Sequence, residues 1–282
     1  MTDRYAVIGT PVAHSKSPLI HAEFARETGQ DISYTAVLAP LDGFKEAVLR
    51  FRDGGGAGMN VTVPFKQEAW RLADAHSGYA MDAGAVNTIE FREEKIVGYN
   101  TDGVGLVRDI KNNLRCGIKG KRVLLMGAGG ASYGVMEPLL REHLEQLVVA
   151  NRTLEKAINL VGHFEKFQSF AVRGVLARPY DGLGNAQFDI VINATSASLE
   201  NAMPPLPPCV FAPGALAYDM VYGGTTPFLA FARAHGARAA DGTGMLVEQA
   251  AESFFIWRGV RPQTGPVIEM LKAKDRGSRI ED

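Results

Sequence analysis

Gly127-Ala128-Gly129-Gly130-Ala131 follows the short apolar run Lys121 to Leu125 and opens a helical pattern. Glycines there let the backbone turn tightly and approach a pyrophosphate, while the N-terminus of the next helix offers unpaired N–H groups and a favourable dipole. Such an arrangement suits dinucleotide binding. The next apolar run, Leu147 to Ala150, ends in Asn151-Arg152-Thr153 with Lys156 close behind, where a site selective for ribose hydroxyls usually carries an acid. Cations at that place suit a 2′-phosphate, which favours NADP over NAD. Pro138 falls inside the helix and removes a hydrogen bond, but it comes late enough to spare the first turn.

Further polar clusters follow the predicted strands, where open α/β sheets bind ligands. His14-Ser15-Lys16-Ser17-Pro18 places the hydroxyls of Ser15 and Ser17 just before a helix, suited either to a carboxylate or to a plain N-cap. Thr62 and Lys66 follow the strand ending at Val61. A lysine opening a helix works against the dipole, so it either has a partner or is simply solvated. Asn87 heads a strand, and Asn100-Thr101-Asp102-Gly103 closes the next with good turn chemistry. Met245 and Gln249 share a face of the helix opened by Asp241-Gly242-Thr243-Gly244, where a core methionine is the plain alternative.

The elements that must position these groups alternate. Strands are expected at Tyr5 to Gly9, Ile32 to Leu38, Gly58 to Val63, Val86 to Phe91 and Lys95 to Tyr99. Helices are expected at His21 to Glu27, Leu41 to Arg52 and Phe65 to Ala75. This βαβ order implies a mainly parallel sheet. A helix at Val104 to Leu114 leads to a second set of strands, Val123 to Met126, Leu147 to Ala150, Gly174 to Ala177, Ile190 to Asn193 and Ala217 to Met220, for which a doubly wound sheet is the economical solution. The proline-rich segment Ala202 to Pro213 reads as an ordered loop, and helices resume at Met245 to Trp257 and Pro266 to Lys274. The charged stretch Asp275 to Asp282 is expected to fray. The fold class is therefore α/β with two α/β domains and a cleft between them: residues 1–103, completed by helices in 242–282, and a dinucleotide domain at 104–241.

Composition narrows the function. Hydrophobic residues make up 46% of the 282, enough for real cores, and the net charge of −1 gives no electrostatic case for nucleic acid. No apolar run approaches a membrane span and no leader is evident, so a cytoplasmic protein acting on a small molecule is expected. Cys116 and Cys209 lack metal-ligand spacing, and no metal is expected.

In this order the strings HSKSP (His14 to Pro18), NVTVPFK (Asn60 to Lys66), GAVNT (Gly84 to Thr88), NTDG (Asn100 to Gly103), GAGGA, NRT, NATS (Asn193 to Ser196), DMVY (Asp219 to Tyr222) and DGTGMLVEQA (Asp241 to Ala250) resemble the shikimate dehydrogenase family from Tyr5 to about Ile268. The resemblance implies a substrate domain followed by a Rossmann NADP domain. It also implies reversible NADPH-dependent reduction of 3-dehydroshikimate to shikimate, on the route to aromatic amino acids. By the same resemblance, Ser15 and Ser17 hold the substrate carboxylate. Thr62, Asn87, Tyr222 and Gln249 join Lys66 and Asp102 around the ring hydroxyls and the reacting oxygen. Lys66 is the acid/base group and Asp102 positions its ammonium.

On the cofactor side the resemblance assigns Gly127, Ala128, Gly129, Gly130 and Ala131 to the pyrophosphate, and Asn151, Arg152, Thr153 and Lys156 to the adenosine phosphate. Thr195, Met220, Gly242 and Met245 fall to the nicotinamide. Two positions depart from the pattern: Tyr133 stands where many relatives have arginine, and Glu155 lies beside the phosphate clamp. The neighbouring alternatives are a quinate/shikimate dehydrogenase that often uses NAD, and a catalytically silent ligand-binding homologue. Against the first stand the intact Ser15/Ser17 pair and the basic NRT segment; against the second, the presence of both Lys66 and Asp102. Either a monomer or a homodimer is compatible with the sequence.

Overall fold

The computed structural model describes residues 2–165, 174–197 and 202–277, so the end of the charged C-terminal stretch, 278–282, lies outside the described residues. Two compact units divide the chain: Met1–Gly105 with Val247–Glu269, and Leu106–Leu246 with Met270–Asp282. Residues 242–282 are expected to complete the first unit as a whole; of the described ones, 247–269 group with it and 242–246 and 270–277 with the second.

In chain order the first unit contains β1 (Asp3–Gly9), α1 (Ser17–Thr28), β2 (Ile32–Leu38), α2 (Phe44–Asp53), β3 (Gly56–Val61), α3 (Lys66–Leu72), β4 (Ala75–His76), α4 (Gly78–Ala83), β5 (Thr88–Arg92) and β6 (Lys95–Tyr99). The sheet order is β2-β1-β3-β5-β6-β4. All its pairings are parallel except those of β5, which runs antiparallel to both β3 and β6. One reversed strand therefore brings its own beginning to the edge where β1, β3 and β6 end. Alternation along β1 places Ala6 and Ile8 in a core with Phe44, Val48, Met59 and Phe65. On the other face Tyr5 stacks on Trp257, with ring centroids 4.5 Å apart.

The chain leaves the first unit through α5 (Asp102–Arg108), whose C-terminal continuation, Asp109–Asn113, is π-helical. Then come β7 (Arg122–Met126), α6 (Gly130–Leu140), β8 (Gln146–Ala150), α7 (Leu154–Phe164), β9 (Val175–Arg178), β10 (Phe188–Asn193), β11 (Phe211–Asp219), α8 (Pro227–Ala234) and β12 (Arg238–Ala240). The helices α9 (Thr243–Arg258) and α10 (Gly265–Gly277) follow. The sheet of the second unit is wholly parallel in the order β12-β11-β10-β7-β8-β9, a doubly wound Rossmann arrangement with its switch point between β7 and β10. Both faces are covered, which explains the unbroken apolar runs. Val123 and Leu125 enter one core with Leu147 and Val149, while Leu124 and Met126 enter the other with Val148 and Ala150.

Several elements differ from expectation. The helix expected at Val104 to Leu114 starts at Asp102 and widens to a π turn at Asp109. Strand β11 begins at Phe211, inside the segment expected to be loop, because Pro213 and Gly214 are accommodated by a register shift opposite Phe188 and Ile190. The short β4, α4 and β12 carry too few residues for a periodic signal, and α8 starts at Pro227 behind a Thr226 cap.

Candidate active site

Four loops of the first unit meet at one edge of its sheet: those after β1, β3 and β6, and the one before β5. Lys66 opens α3. A cation in that first turn costs about 0.3–1 kcal/mol against the helix dipole, whereas a hydrogen bond between charged groups contributes about 1.5–3 kcal/mol. The partner is Asp102, whose Oδ2 accepts from Lys66 Nζ at 2.5 Å. The pair is only partly enclosed, with side-chain exposures of 32% for Lys66 and 12% for Asp102, so the ammonium is reachable from solvent.

Asn87 holds the other side of the carboxylate. Its Nδ2 donates to Asp102 Oδ1 at 2.8 Å and to Thr101 Oγ1 at 2.9 Å, and reaches Gln249 Oε1 at 3.4 Å. Its Oδ1 accepts the Thr101 backbone N–H and the Thr88 hydroxyl, both at 2.9 Å. Behind it, Asn60 Nδ2 donates to Thr88 Oγ1 at 3.1 Å and to Ser253 Oγ at 3.0 Å. Tyr34 donates its hydroxyl to Asn60 Oδ1 at 2.7 Å. Networks of this kind, buried and fully paired, fix side-chain orientation. Thr88 and Thr101, which the sequence sets beside Asn87 and Asp102 without a role, are members; Ser253, a lone serine in a helix, gives no signal at all.

Ser15 and Ser17 lie after β1, and the Ser17 side chain hydrogen-bonds Tyr34, which ties it to the Asn60 network. Ser15 Oγ accepts the Ser17 N–H at 3.2 Å, and Pro18 sits in the first turn of α1. The simple N-cap alternative is thus half met, since Lys16 occupies the cap without a side-chain bond. Thr62, directly after β3, is half-buried. Tyr222 belongs to the second unit, where it is 40% exposed. Partial burial pushes its phenol above the ordinary tyrosine range, and Asp275 adds to that.

In the second unit Gly127 turns the chain out of β7 with φ +100°, and Thr195 and Ala194, after β10, lie 3.1–3.2 Å from where its Cβ would be. Ser132 donates its hydroxyl to Gly127 O at 2.9 Å. Gly129 has ordinary extended backbone angles, and a methyl group added at it or at Gly130 would meet no atom within 4 Å. Neither backbone nor protein packing demands glycine there. The first turn of α6 also lacks a side-chain cap, so the bare loop leaves room and donors for a pyrophosphate.

Asn151 Nδ2 donates to Thr153 O at 2.8 Å, and Arg152, Thr153 and Lys156 are exposed around it. Glu155 lies in the first turn of α7, where an acid suits the dipole. Tyr133 turns inward, edge-on to His163 with ring centroids 5.4 Å apart. Met220 follows β11, its N–H bonded to Asn193 O at 3.0 Å, and Gly242 N–H bonds Val221 O at 3.0 Å.

Sequence profiles match this chain in three stretches: the shikimate dehydrogenase substrate binding domain over residues 7–89, shikimate / quinate 5-dehydrogenase over 109–201, and the shikimate 5′-dehydrogenase C-terminal domain over 242–272. A shikimate dehydrogenase (NADP(+)) of Nitrosospira multiformis is 59% identical over 276 residues, covering 97% of this chain and 98% of its own. This chain belongs to the shikimate dehydrogenase family. Among solved structures, an Ael1 enzyme from Pseudomonas putida superposes with a TM-score of 0.91 at 50% identity, covering 95% of this chain and 98% of that one. The shikimate 5-dehydrogenase of Thermus thermophilus, solved in complex with NADP(H) and shikimate, gives a TM-score of 0.84 at 34% identity over 96% of this chain and 99% of its own. Two α/β units account for nearly the whole of this chain. No helix among the described residues is long and apolar enough to cross a membrane.

Proposed function

We propose that the protein is an NADP-dependent shikimate dehydrogenase that reduces 3-dehydroshikimate reversibly to shikimate. The observation that carries this reading is the Lys66–Asp102 pair, locked by Asn87 at the reactive edge of a family member's first sheet. The bound nicotinamide supplies or takes the hydride. What the chain itself contributes is charge and proton management: negative charge builds on the substrate oxygen during reduction, and the Lys66 ammonium stabilises it and delivers the proton. Asp102 keeps that ammonium in place through Oδ2 and accepts from a ring hydroxyl.

Ser15 and Ser17 are assigned to the substrate carboxylate, and Thr62, Asn87, Tyr222 and Gln249 to the ring oxygens. Gly127 to Ala131 are assigned to the pyrophosphate, Asn151 to Thr153 and Lys156 to the 2′-phosphate, and Thr195, Met220, Gly242 and Met245 to the nicotinamide. A monomer or a homodimer is compatible with these assignments. The test is an absorbance assay for reduced nicotinamide with shikimate and NADP⁺, run beside quinate and NAD⁺. Turnover confined to shikimate with NADP⁺ is expected; silence with every pair would overturn the enzymatic reading in favour of a silent binder, and equal rates with quinate and NAD⁺ would move it to the broader quinate/shikimate group.

A further inference from the structure

Within the second unit, the first turn of α9 rests on two side chains that the proposed chemistry does not use. Tyr218, fully buried in β11, donates its hydroxyl to Asp109 Oδ2 at 2.7 Å and accepts the backbone N–H of Met245 at 3.3 Å. Burial, reinforced by the Asp109 charge, holds the phenol well above its ordinary range, so it remains a donor. Asp109 opens the π turn and is 3% exposed, and its Oδ1 accepts from Asn113 Nδ2 at 3.0 Å. A Cβ on Gly244 would fall inside the Asp109 carboxylate, so the turn sits flush on that group and any larger residue would displace it.

Stability alone does not call for this arrangement. Replacing a buried hydrogen-bonded polar pair by apolar groups of the same shape is often close to neutral. The polar pair supplies location. The first N–H groups of a helix have no acceptor within it; Tyr218 provides one for Met245, and Asp109 in turn fixes the direction of the Tyr218 hydroxyl. Short π segments concentrate at functional sites, and this one brings a carboxylate against Gly244.

We propose that Tyr218 and Asp109 are positioning residues for the nicotinamide end of the cofactor site, setting the turn that presents Gly242 and Met245. This inference rests on the assignment of that turn to the nicotinamide. The test measures, by calorimetry on the full-length protein, the affinity of NADP⁺ and of adenosine 2′,5′-bisphosphate, which has the phosphate end and no nicotinamide. Tyr218→Phe is expected to weaken NADP⁺ about tenfold, the scale of one buried hydrogen bond, and to leave the bisphosphate unchanged. Unchanged NADP⁺ affinity would overturn the proposal, and so would equal weakening of both ligands, which is what general loosening of the unit produces. Asp109→Ala, which removes the acceptor that fixes the Tyr218 hydroxyl, is judged by the same two affinities if Tyr218→Phe does not fold. Met245→Ala separates the two levels of inference. If it leaves NADP⁺ binding unchanged, the assignment of the turn is wrong; if it weakens NADP⁺ where Tyr218→Phe does not, only the positioning role falls.

Discussion

Asn87 Nδ2 donates to Asp102 Oδ1 over 2.8 Å, on the carboxylate oxygen opposite the one that holds Lys66. The carboxylate is therefore fixed from both sides, with one oxygen committed to the ammonium and one to an amide that is itself pinned by Thr88 and Thr101. A group held this way is fixed in advance and need not reorganise.

Lys66→Ala should lose about 10²–10⁴ in kcat with a much smaller change in the KM for shikimate. Initial rates of NADP⁺ reduction measure both. Near-normal turnover would remove Lys66 from the acid/base role.

Gly129→Ala tests the pyrophosphate cradle. The added methyl meets no protein atom and the backbone angles there are ordinary, so the thermal midpoint should stay within about a degree or two, the surface-substitution range. The KM for NADP⁺ should rise severalfold, since the methyl occupies the space left for phosphate. A variant with unchanged KM would show that the open face serves another purpose.

Arg152→Ala should raise the KM for NADP⁺ far more than that for NAD⁺, because only the former carries the 2′-phosphate the guanidinium would bind. The two Michaelis constants, measured on the same preparation, decide it. Equal increases would remove Arg152 from the phosphate clamp.

His21 gives the fold an acid sensitivity unrelated to catalysis. It is fully buried, stacked on Tyr34 with ring centroids 4.2 Å apart, and burial pushes it down to about 3, an effect the Asn60 side chain only partly offsets. Unfolded histidine titrates near its ordinary value of about 6.5. Between those values the unfolded chain binds a proton that the native one refuses, so stability is full above about 6.5 and falls as the pH drops toward 3. The expected loss attributable to this one group is about 2 kcal/mol between pH 7 and pH 5. Urea unfolding of the wild type and His21→Phe at both pH values measures it; the same pH dependence in the two proteins would refute it.

Much of the fold is legible in the amino-acid sequence. Lys95–Tyr99 falls where alternation places it, because that strand buries one face more deeply than the other; Ile32–Leu38 is marked by its β-branched and aromatic residues instead, since exposure along it stops alternating after Thr35. The Rossmann strands are visible for a different reason: with both faces buried, runs such as Arg122–Met126 are apolar almost throughout. Less visible is whatever depends on a partner distant in sequence. A lysine at the head of α3 is ambiguous until Asp102 stands beside it, and Ser253 is silent because its partners, Asn60 and Thr88, lie on strands of the first sheet. The π turn at Asp109 is equally hidden, since no local residue type marks it.

The reversal of β5 has a practical consequence. Because β5 and β6 both have their inner ends, at Asn87 and at Tyr99 to Asp102, on the edge that carries Lys66, the turn that joins them at Glu93 and Glu94 emerges at the opposite edge, roughly 15 Å away by strand rise. Glu93, with φ +52°, and Glu94 are both exposed. That turn is a handle: a fluorophore, affinity peptide or surface tether attached there would report on or immobilise the protein while leaving the groups around Lys66 untouched.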